Sequence, residues 1–159
     1  MKVLRIHPKD TITIRHQMLR LGKPVESCVY SGDDDEQTFH LGAFVDTKLV
    51  SVASFYFEKH PALSAPYQYR LRGMATLPEY QRSGLSSELL KMAFPIIKQN
   101  LASLLWCNAR LTAVGFYEKV GFTKVGETFT IADIGEHLLM TKKIEIDSNK
   151  KDLMSNRNL

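Results

Sequence analysis

The hydrophobic pattern at the start of the chain predicts a strand followed by a helix. Apolar and polar residues alternate over residues 2–6 with the period of two that is typical of a strand. Asp10 or Thr11 can then cap a helix, and Gly22 followed by Pro24 would end it. The apolar positions of this helix are Ile14, Met18, Leu19 and Leu21.

A hairpin and a third long strand follow in the pattern. Residues 38–45 and residues 49–58 are strand-like runs on either side of the short polar turn at residues 46–48. Two such runs joined by a short polar turn predict an antiparallel hairpin. Residues 67–76 form a further strand-like run after a loop that contains prolines.

In the next part of the chain, at residues 85–97, the apolar residues recur with the period of a helix. Pro95 lies inside this run and lacks the amide that would bond to the carbonyl oxygen of Lys91, so we expect a kink or an early last turn. The apolar positions recur at helical spacing: Leu85, Leu89, Met92, Ala93, Ile96 and Ile97.

The last third of the chain predicts one more helix between strands. Residues 104–107 read as a short buried strand, and residues 109–120 read as a helix that Gly121 ends. Residues 123–129 and 137–144 have the pattern of a closing strand pair.

The element order β-α-β-β-β-α-β-α-β-β predicts a single α/β domain with a mixed sheet. The strands at 67–76 and 104–107 flank a helix, which makes a βαβ unit with parallel strands and a right-handed connection. Ligands of such sheets bind near the carboxyl ends of the parallel strands. We place the domain at residues 1–145 and a polar C-terminal tail at residues 146–159.

Composition excludes several classes of protein. The chain has 159 residues, 44% of them hydrophobic, which is enough for one globular core. A formal net charge of +4 is compatible with an anionic ligand but too small by itself to indicate nucleic acid binding. Cys28 and Cys107 lack paired metal-ligand spacing, so we predict neither a disulfide framework nor a metal site. Without a secretory leader or an apolar run of about 18 to 20 residues, we expect a soluble, cytoplasmic protein.

The first candidate binding element is the turn at residues 81–86, which reads Gln-Arg-Ser-Gly-Leu-Ser and starts the second helix. Backbone N–H groups at a helix N-terminus attract phosphate. Gly84 lets the backbone approach a ligand, and Arg82 adds a charged donor. Ser83 and Ser86 add hydroxyl groups. The alternative is an ordinary turn glycine followed by a serine cap.

The second candidate element combines Asn108, which follows the strand at 104–107, with Tyr117 in the next helix. An aromatic pair such as Phe116 and Tyr117 near a helix end is more often core packing than a site. Tyr117 keeps a polar tip, however. If its hydroxyl faces the gap between the two parallel strands, it lies near the ligand of the 81–86 turn.

Together these two segments resemble the Gcn5-related N-acetyltransferases (GNAT). The phosphate-binding signature of that family is Gln or Arg, two variable residues, Gly, one variable residue, then Gly or Ala. Residues 81–86 match it except at Ser86, and residues 108–122 resemble the second motif of the family. The resemblance implies the GNAT fold, with splayed parallel strands in a mixed central sheet flanked by helices. It also implies acetyl transfer from acetyl-CoA to a primary amine of a small-molecule or peptide acceptor, by direct attack in a ternary complex.

The resemblance implies a role for each matched residue. The pantetheine arm of acetyl-CoA would pair with the main chain around Met74, Ala75 and Thr76. Asn108 would help to hold that arm. A main-chain N–H near Ala75 would stabilise the oxyanion, and Tyr117 would act as general acid towards the thiolate. The pyrophosphate would bind the turn formed by Gln81, Arg82, Ser83, Gly84, Leu85 and Ser86.

One position departs from the family pattern. Some members carry a glutamate base six residues before the position of Thr76, where this chain has Arg70, with Arg72 on the same strand face. Because a cationic side chain cannot accept the proton of the amine, we hypothesise that Arg70 or Arg72 binds an anionic group of the acceptor. The alternative is that both are solvated arginines on the sheet surface. The departure also keeps open an alternative function, a catalytically inactive acyl-CoA-binding sensor or scaffold.

The remaining polar residues are interpreted mainly as structural. His40 and His137, on predicted strands, are more often structural than proton relays, and Cys107 is expected to be a small buried hydrophobe. The acidic run at residues 33–36 is interpreted as a solvated loop rather than a clamp for a cationic amine. Arg15 either borders the acceptor pocket or is an ordinary exposed helix arginine. We expect a monomer or homodimer without nucleic acid or membrane partners.

Overall fold

The computed structural model describes residues 1–145, and the predicted tail at 146–159 lies outside the described residues. The helices are α1 (Ile12–Leu19), α2 (Leu85–Gln99) and α3 (Val114–Lys119). The strands are β1 (Lys2–Ile6), β2 (Phe39–Val45), β3 (Lys48–Phe57), β4 (Gln68–Thr76), β5 (Leu104–Arg110), β6 (Thr123–Ile131) and β7 (Gly135–Lys143). No helix within residues 1–145 combines the length and the apolar character that crossing a membrane requires.

The strands form a mixed seven-stranded sheet in the order β1-β2-β3-β4-β5-β7-β6. The parallel pairing of β4 with β5 joins Gln68, Tyr69 and Arg70 to Leu104, Leu105 and Trp106, which confirms the predicted βαβ unit. The β2–β3 hairpin and the closing β6–β7 pair are antiparallel, as predicted. Residue contacts divide the described chain into two compact units. The first is Met1–Phe57 with Leu71–Pro95, and the second is Glu58–Arg70 with the described chain from Ile96 onward.

In the first unit, a two-residue turn joins β2 to β3. Val45 pairs with Lys48, so the turn consists of Asp46 and Thr47 and is one residue shorter than predicted. Asp46 has a positive φ of 55°, a conformation that short hairpin turns require and that aspartate tolerates. The core of this unit includes the fully buried side chains of Leu41, Ala43, Val50, Val52, Ala53 and Phe55.

The structure corrects the predicted apolar face of α1 and one of the two alternatives expected at Pro95 in α2. Helix α1 stops at Leu19, and Leu21 is 78% exposed, so its predicted place on the apolar face of the helix is wrong. Helix α2 continues through Pro95 to Gln99, so the early last turn is not formed. The apolar face of α2 is buried on both sides of the proline, and this burial outweighs the missing backbone hydrogen bond. The fully buried residues of that face include Leu89, Ala93 and Ile97.

In the second unit, β5 is longer than predicted. It pairs with β7 along its whole length, from Leu104 opposite Lys143 to Arg110 opposite His137. Because this pairing continues the strand to Arg110, the following α-helix begins later than the predicted residue 109. Gly121 follows α3 with a φ of +99°, the left-handed conformation that commonly ends a helix.

Candidate active site

Hydrogen bonds hold the turn that leads from β4 into α2. The side-chain amide of Gln81 donates to the carbonyl oxygen of Thr76 at 3.0 Å. The Thr76 hydroxyl lies 2.7 Å from the hydroxyl of Ser51 and 3.4 Å from that of Ser86. The start of α2 is therefore tied to the end of β4, and both belong to the first unit.

Gly84 lies in open space just before the first residue of α2. Its φ is +83°, a conformation that suits glycine, and a Cβ atom here would meet no heavy atom within 4 Å. Arg82 is exposed and also left-handed, with a φ of 60°, and the Ser83 hydroxyl donates to the carbonyl oxygen of Tyr80. Leu85 anchors the helix through its buried side chain. N–H groups in the first turn of a helix lack intrahelical partners and attract anions, so the turn combines an accessible glycine with amide donors.

The end of β4 carries Met74, Ala75 and Thr76. Ala75 is buried, whereas Met74 and Thr76 are half-buried. The hydroxyl of Ser51, on β3, donates to the carbonyl oxygen of Ala75 at 3.3 Å. Because Ser51 contacts both Ala75 and Thr76, it fixes the main chain at the end of β4.

In the second unit, Asn108 lies in β5 and Tyr117 in α3. The Asn108 Oδ1 atom is buried and has no hydrogen-bond partner among residues 1–145. Tyr117 is 8% exposed, packs between the rings of Phe116 and Phe122 at 5.3 and 5.1 Å, and hydrogen-bonds to Cys107 through its side chain. Burial raises the pKa of the Cys107 thiol to about 12 and the pKa of Tyr117 well above its usual value. Both groups therefore keep their protons at neutral pH.

Arg70 and Arg72 have different surroundings. The Arg70 guanidinium bonds to the Glu58 carboxylate at 3.0 Å and lies 4.9 Å from the centre of the Trp106 ring, and its Nε is buried without a partner among the described residues. The Arg72 guanidinium lies 4.4 Å from the centre of the Tyr30 ring. Arg70 thus takes part in an ion pair, and Arg72 stacks on an aromatic ring.

A buried ionic cluster that the sequence analysis missed lies in the first unit. Arg15, on α1, is fully buried, and Asp33 is 4% exposed. The two Nη atoms of Arg15 donate to the two carboxylate oxygens of Asp33 at 2.8 and 3.1 Å. They also donate to the Cys28 carbonyl at 2.8 Å, the Ser54 hydroxyl at 2.8 Å and the Tyr56 hydroxyl at 3.1 Å. The interpretations of Arg15 as exposed or pocket-lining and of Asp33 as solvated are therefore wrong, because the two charges neutralise each other inside the core.

The donors and acceptors of this cluster fit together. The Tyr56 hydroxyl and the Tyr30 amide donate to Asp33 at 2.5 and 2.9 Å. His40 lies with Nε2 3.0 Å from the Asp33 carbonyl oxygen, which can only accept, so Nε2 carries the proton. Its Nδ1 then accepts from the Ser54 hydroxyl at 2.7 Å. We name this group of residues the Arg15 cluster: Arg15, Tyr30, Asp33, His40, Ser54 and Tyr56.

The charge states of the cluster follow from its bonding. Burial by itself would raise the pKa of Asp33, but hydrogen bonds from Arg15 and Tyr56 outweigh it and hold that pKa below its usual value. Burial lowers the pKa of His40, so the imidazole is neutral at pH 7. His40 and His137 are both buried and bonded to carbonyl oxygens, consistent with their structural interpretation.

Comparison with known proteins identifies the family. A family model described as an acetyltransferase (GNAT) domain matches residues 24–144. YitI of Bacillus subtilis (strain 168), described as an uncharacterized N-acetyltransferase, is 41% identical over 144 residues, which cover 91% of this chain and 97% of that protein. The chain belongs to the GNAT acetyltransferase family. It is an acyltransferase, as the sequence resemblance implied.

Solved GNAT structures share the fold of this acetyltransferase. The ribosomal-protein-S18-alanine N-acetyltransferase of Escherichia coli superimposes with a TM-score of 0.69 at 16% identity, covering 92% of this chain and 96% of that one. An aminoglycoside 6'-N-acetyltransferase complexed with coenzyme A gives a TM-score of 0.70 at 14% identity, covering 92% and 99%. At these identities the similarity establishes the fold, which confirms the predicted GNAT architecture.

Proposed function

We propose that this GNAT acetyltransferase binds acetyl-CoA through the turn at residues 81–86 and the end of β4, and transfers the acetyl group to a primary amine of a small-molecule or peptide acceptor. The observation that carries the proposal is the open, left-handed Gly84 at the start of the 15-residue helix α2. A diphosphate placed there meets amide donors and the positive end of the helix dipole. The coenzyme A complex of a GNAT neighbour supports the choice of ligand.

Two further features fit an acyl-CoA ligand. A buried acceptor without a partner is costly, so the orphaned Asn108 Oδ1 favours a ligand that donates a hydrogen bond, such as an amide N–H of the pantetheine arm. At the end of β4, Ser51 bonds to the main-chain carbonyl oxygen of Ala75 and to the side-chain hydroxyl of Thr76, and so helps to fix the segment that would pair with an extended ligand. Met74 contributes main chain to the same segment.

Acetyl-CoA supplies the acetyl group as a thioester, which the neutral amine attacks directly in a ternary complex. A C–N bond forms, the C–S bond breaks, the attacking nitrogen loses one proton to solvent, and the products are an amide and free CoA thiol. The thiol proton comes from Tyr117, which recovers a proton from solvent. The main-chain N–H near Ala75 stabilises the negative charge that develops on the acyl oxygen. Tyr117 donates a proton to the departing sulfur, since its hydroxyl is protonated at neutral pH.

Of the two candidate arginines, we assign Arg72 to an anionic group of the acceptor, because a second half-buried arginine lies beside it at the same aromatic ring. Around the Tyr30 ring, the guanidinium groups of Arg15, Arg20 and Arg72 lie 4.1, 5.4 and 4.4 Å from its centre. Asp33 neutralises Arg15, so Arg20 and Arg72 are the cations at this ring that favour a carboxylate or phosphate.

The test of the proposed function is thiol release from acetyl-CoA in the presence of amines, amino acids, aminosugars and peptides, with and without an added anionic group. We expect at least one acceptor class to give turnover. Tyr117→Phe should then keep the affinity for CoA and lower turnover by about 10- to 1000-fold, the range for a lost general acid. CoA binding without turnover of any acceptor would instead favour the acyl-CoA sensor, and unchanged turnover of Tyr117→Phe would remove the residue from the mechanism.

A further inference from the structure

Gly73 has an unusual conformation in the middle of the β4 sequence. Its φ is +64°, and a left-handed glycine within a strand is typical of a β-bulge. A Cβ atom at this position would lie 3.2 Å from the Nε atom of Arg15 and 3.2 Å from Cε2 of Tyr30. Both distances are tighter than ordinary contact, so Gly73 rests directly against the Arg15 cluster.

The Arg15 side chain has little freedom to move away from Gly73. Five hydrogen bonds of 2.8 to 3.1 Å hold its Nη atoms. Its Nε atom, which is buried, has no hydrogen-bond partner among the described residues and is the Arg15 atom nearest to the Gly73 position. The Arg15 guanidinium is therefore held in one position against the β4 backbone at Gly73.

The residue before Gly73 contacts the same cluster. Arg72 lies 4.4 Å from the centre of the Tyr30 ring and 6.0 Å from that of Tyr56. On the other side of residues 74–76, Ser51 bonds to the Ala75 carbonyl and the Thr76 hydroxyl. The segment at residues 74–76 is thus preceded by residues that contact the Arg15 cluster, and Ser51 bonds to two of its own residues.

We propose that the Arg15 cluster is a positioning device for the acyl-CoA ligand: it sets the left-handed backbone of Gly73 and thereby the direction of the main chain at residues 74–76. This inference rests on the proposed function, which assigns that main chain to CoA binding. Arg15, Asp33 and Tyr56 are positioning residues, because they act through the β4 backbone and touch no reacting atom.

The first test removes one hydroxyl group from the cluster. Tyr56→Phe deletes the donor to Asp33 and an acceptor of Arg15 while it keeps the aromatic ring. Tyr69→Phe is the matched control, since Tyr69 is also fully buried and its hydroxyl accepts from Asn100 at 2.9 Å in the second unit. Calorimetric titration with CoA, well below the melting temperature of each variant, measures Kd for folded protein alone.

We expect Tyr56→Phe to raise Kd for CoA by about tenfold. This is smaller than the roughly 100-fold loss of reaction rate that a 1 Å misplacement can cause, because the variant removes only one of the bonds that hold Arg15. Tyr69→Phe should leave Kd for CoA unchanged, even if it lowers the melting temperature by as much as Tyr56→Phe does. If Tyr56→Phe fails to fold, Ser54→Ala removes a neighbouring bond of Arg15 and is judged by the same criterion.

The second test acts on the backbone directly. Gly73→Ala places a methyl group against Arg15 and Tyr30, whereas Gly126→Ala imposes the same backbone strain, at a φ of +72°, with no heavy atom within 4 Å. Only Gly73→Ala should raise Kd for CoA. The inference is overturned if the cluster variants bind CoA like their controls, because the cluster would then only stabilise the fold. Failure of the wild-type protein to bind CoA would instead overturn the proposed function itself.

Discussion

A comparison of two glycines tests whether the turn before α2 binds a diphosphate. Gly84 and Gly22 have nearly the same backbone, with φ of +83° and +81°, and a Cβ atom at either position meets nothing within 4 Å. Both are exposed. Gly84→Glu and Gly22→Glu should therefore cost the fold the same amount, about 1 to 2 kcal/mol for a left-handed non-glycine residue. Any difference between them in CoA binding comes from the location of Gly84.

The expected loss of binding follows from the charge that the substitution adds. Two like charges 4 Å apart repel by about 1 kcal/mol in bulk water and by about 4 kcal/mol at an effective dielectric constant of 20. Because Gly84 is exposed at the rim of the turn, we expect a value between these limits, near 2.7 kcal/mol, which raises Kd by about 100-fold. The separation is shorter than the screening length of about 8 Å at physiological salt, so salt reduces the effect only in part.

The assay is calorimetric titration of CoA into wild type, Gly84→Glu, Gly84→Gln and Gly22→Glu, with melting temperatures recorded in parallel. Gly84→Gln carries the same bulk without the charge and should bind more tightly than Gly84→Glu. Gly22→Glu should bind like the wild type. Equal affinities of Gly84→Glu and Gly22→Glu would refute the assignment of the diphosphate to this turn.

Three further predictions concern other groups. Arg72→Glu should raise the acceptor KM by about 10- to 100-fold, as expected for a lost hydrogen bond between charged groups, and an unaltered KM would end its proposed role. Burial lowers the pKa of His40 below 6.5, so the unfolded chain binds the proton more readily and the free energy of unfolding should fall as the pH drops below about 6.5. Denaturant titrations that give wild type and His40→Gln the same pH dependence would contradict this. Burial raises the pKa of the Cys107 thiol, and iodoacetamide reacts with the thiolate, so it should alkylate Cys107 far more slowly in the folded protein than in the unfolded one; equal rates would argue against it.

Local chemistry made the candidate ligand turn predictable from sequence. A glycine and serines between a strand and an amphipathic helix report on a helix N-terminus, and the structure places Gly84 there with a positive φ. The βαβ unit was predictable for a similar reason, since a helix between two strands constrains them to be parallel. The end of β5 was not, because its extension to Arg110 depends on pairing with β7, which lies about 30 residues further along the chain.

The Arg15 cluster could not be predicted because its members are far apart in sequence. Arg15 is on a helix, Asp33 is in an acidic run, and Tyr56 is on a strand. From sequence alone, a charged residue such as Arg15 or Asp33 is expected to be solvated. The neighbours of Asp33 in the acidic run, Asp34, Asp35 and Glu36, are indeed exposed. Only the tertiary structure brings a single carboxylate of that run to a buried guanidinium.

Stability alone does not account for an ion pair in this position. Taking both charges of Arg15 and Asp33 out of water costs several kcal/mol per ion, and a well-packed apolar replacement is often as stable or more stable. What an apolar replacement cannot supply is a planar group fixed by five hydrogen bonds against the backbone of Gly73. A methionine or leucine in place of Arg15 could fill the volume but would form none of these hydrogen bonds and has no planar group to place against Gly73. The need to fix the backbone of Gly73 therefore explains the buried ion pair. Gly73 lies one residue before the main chain assigned to the acyl donor.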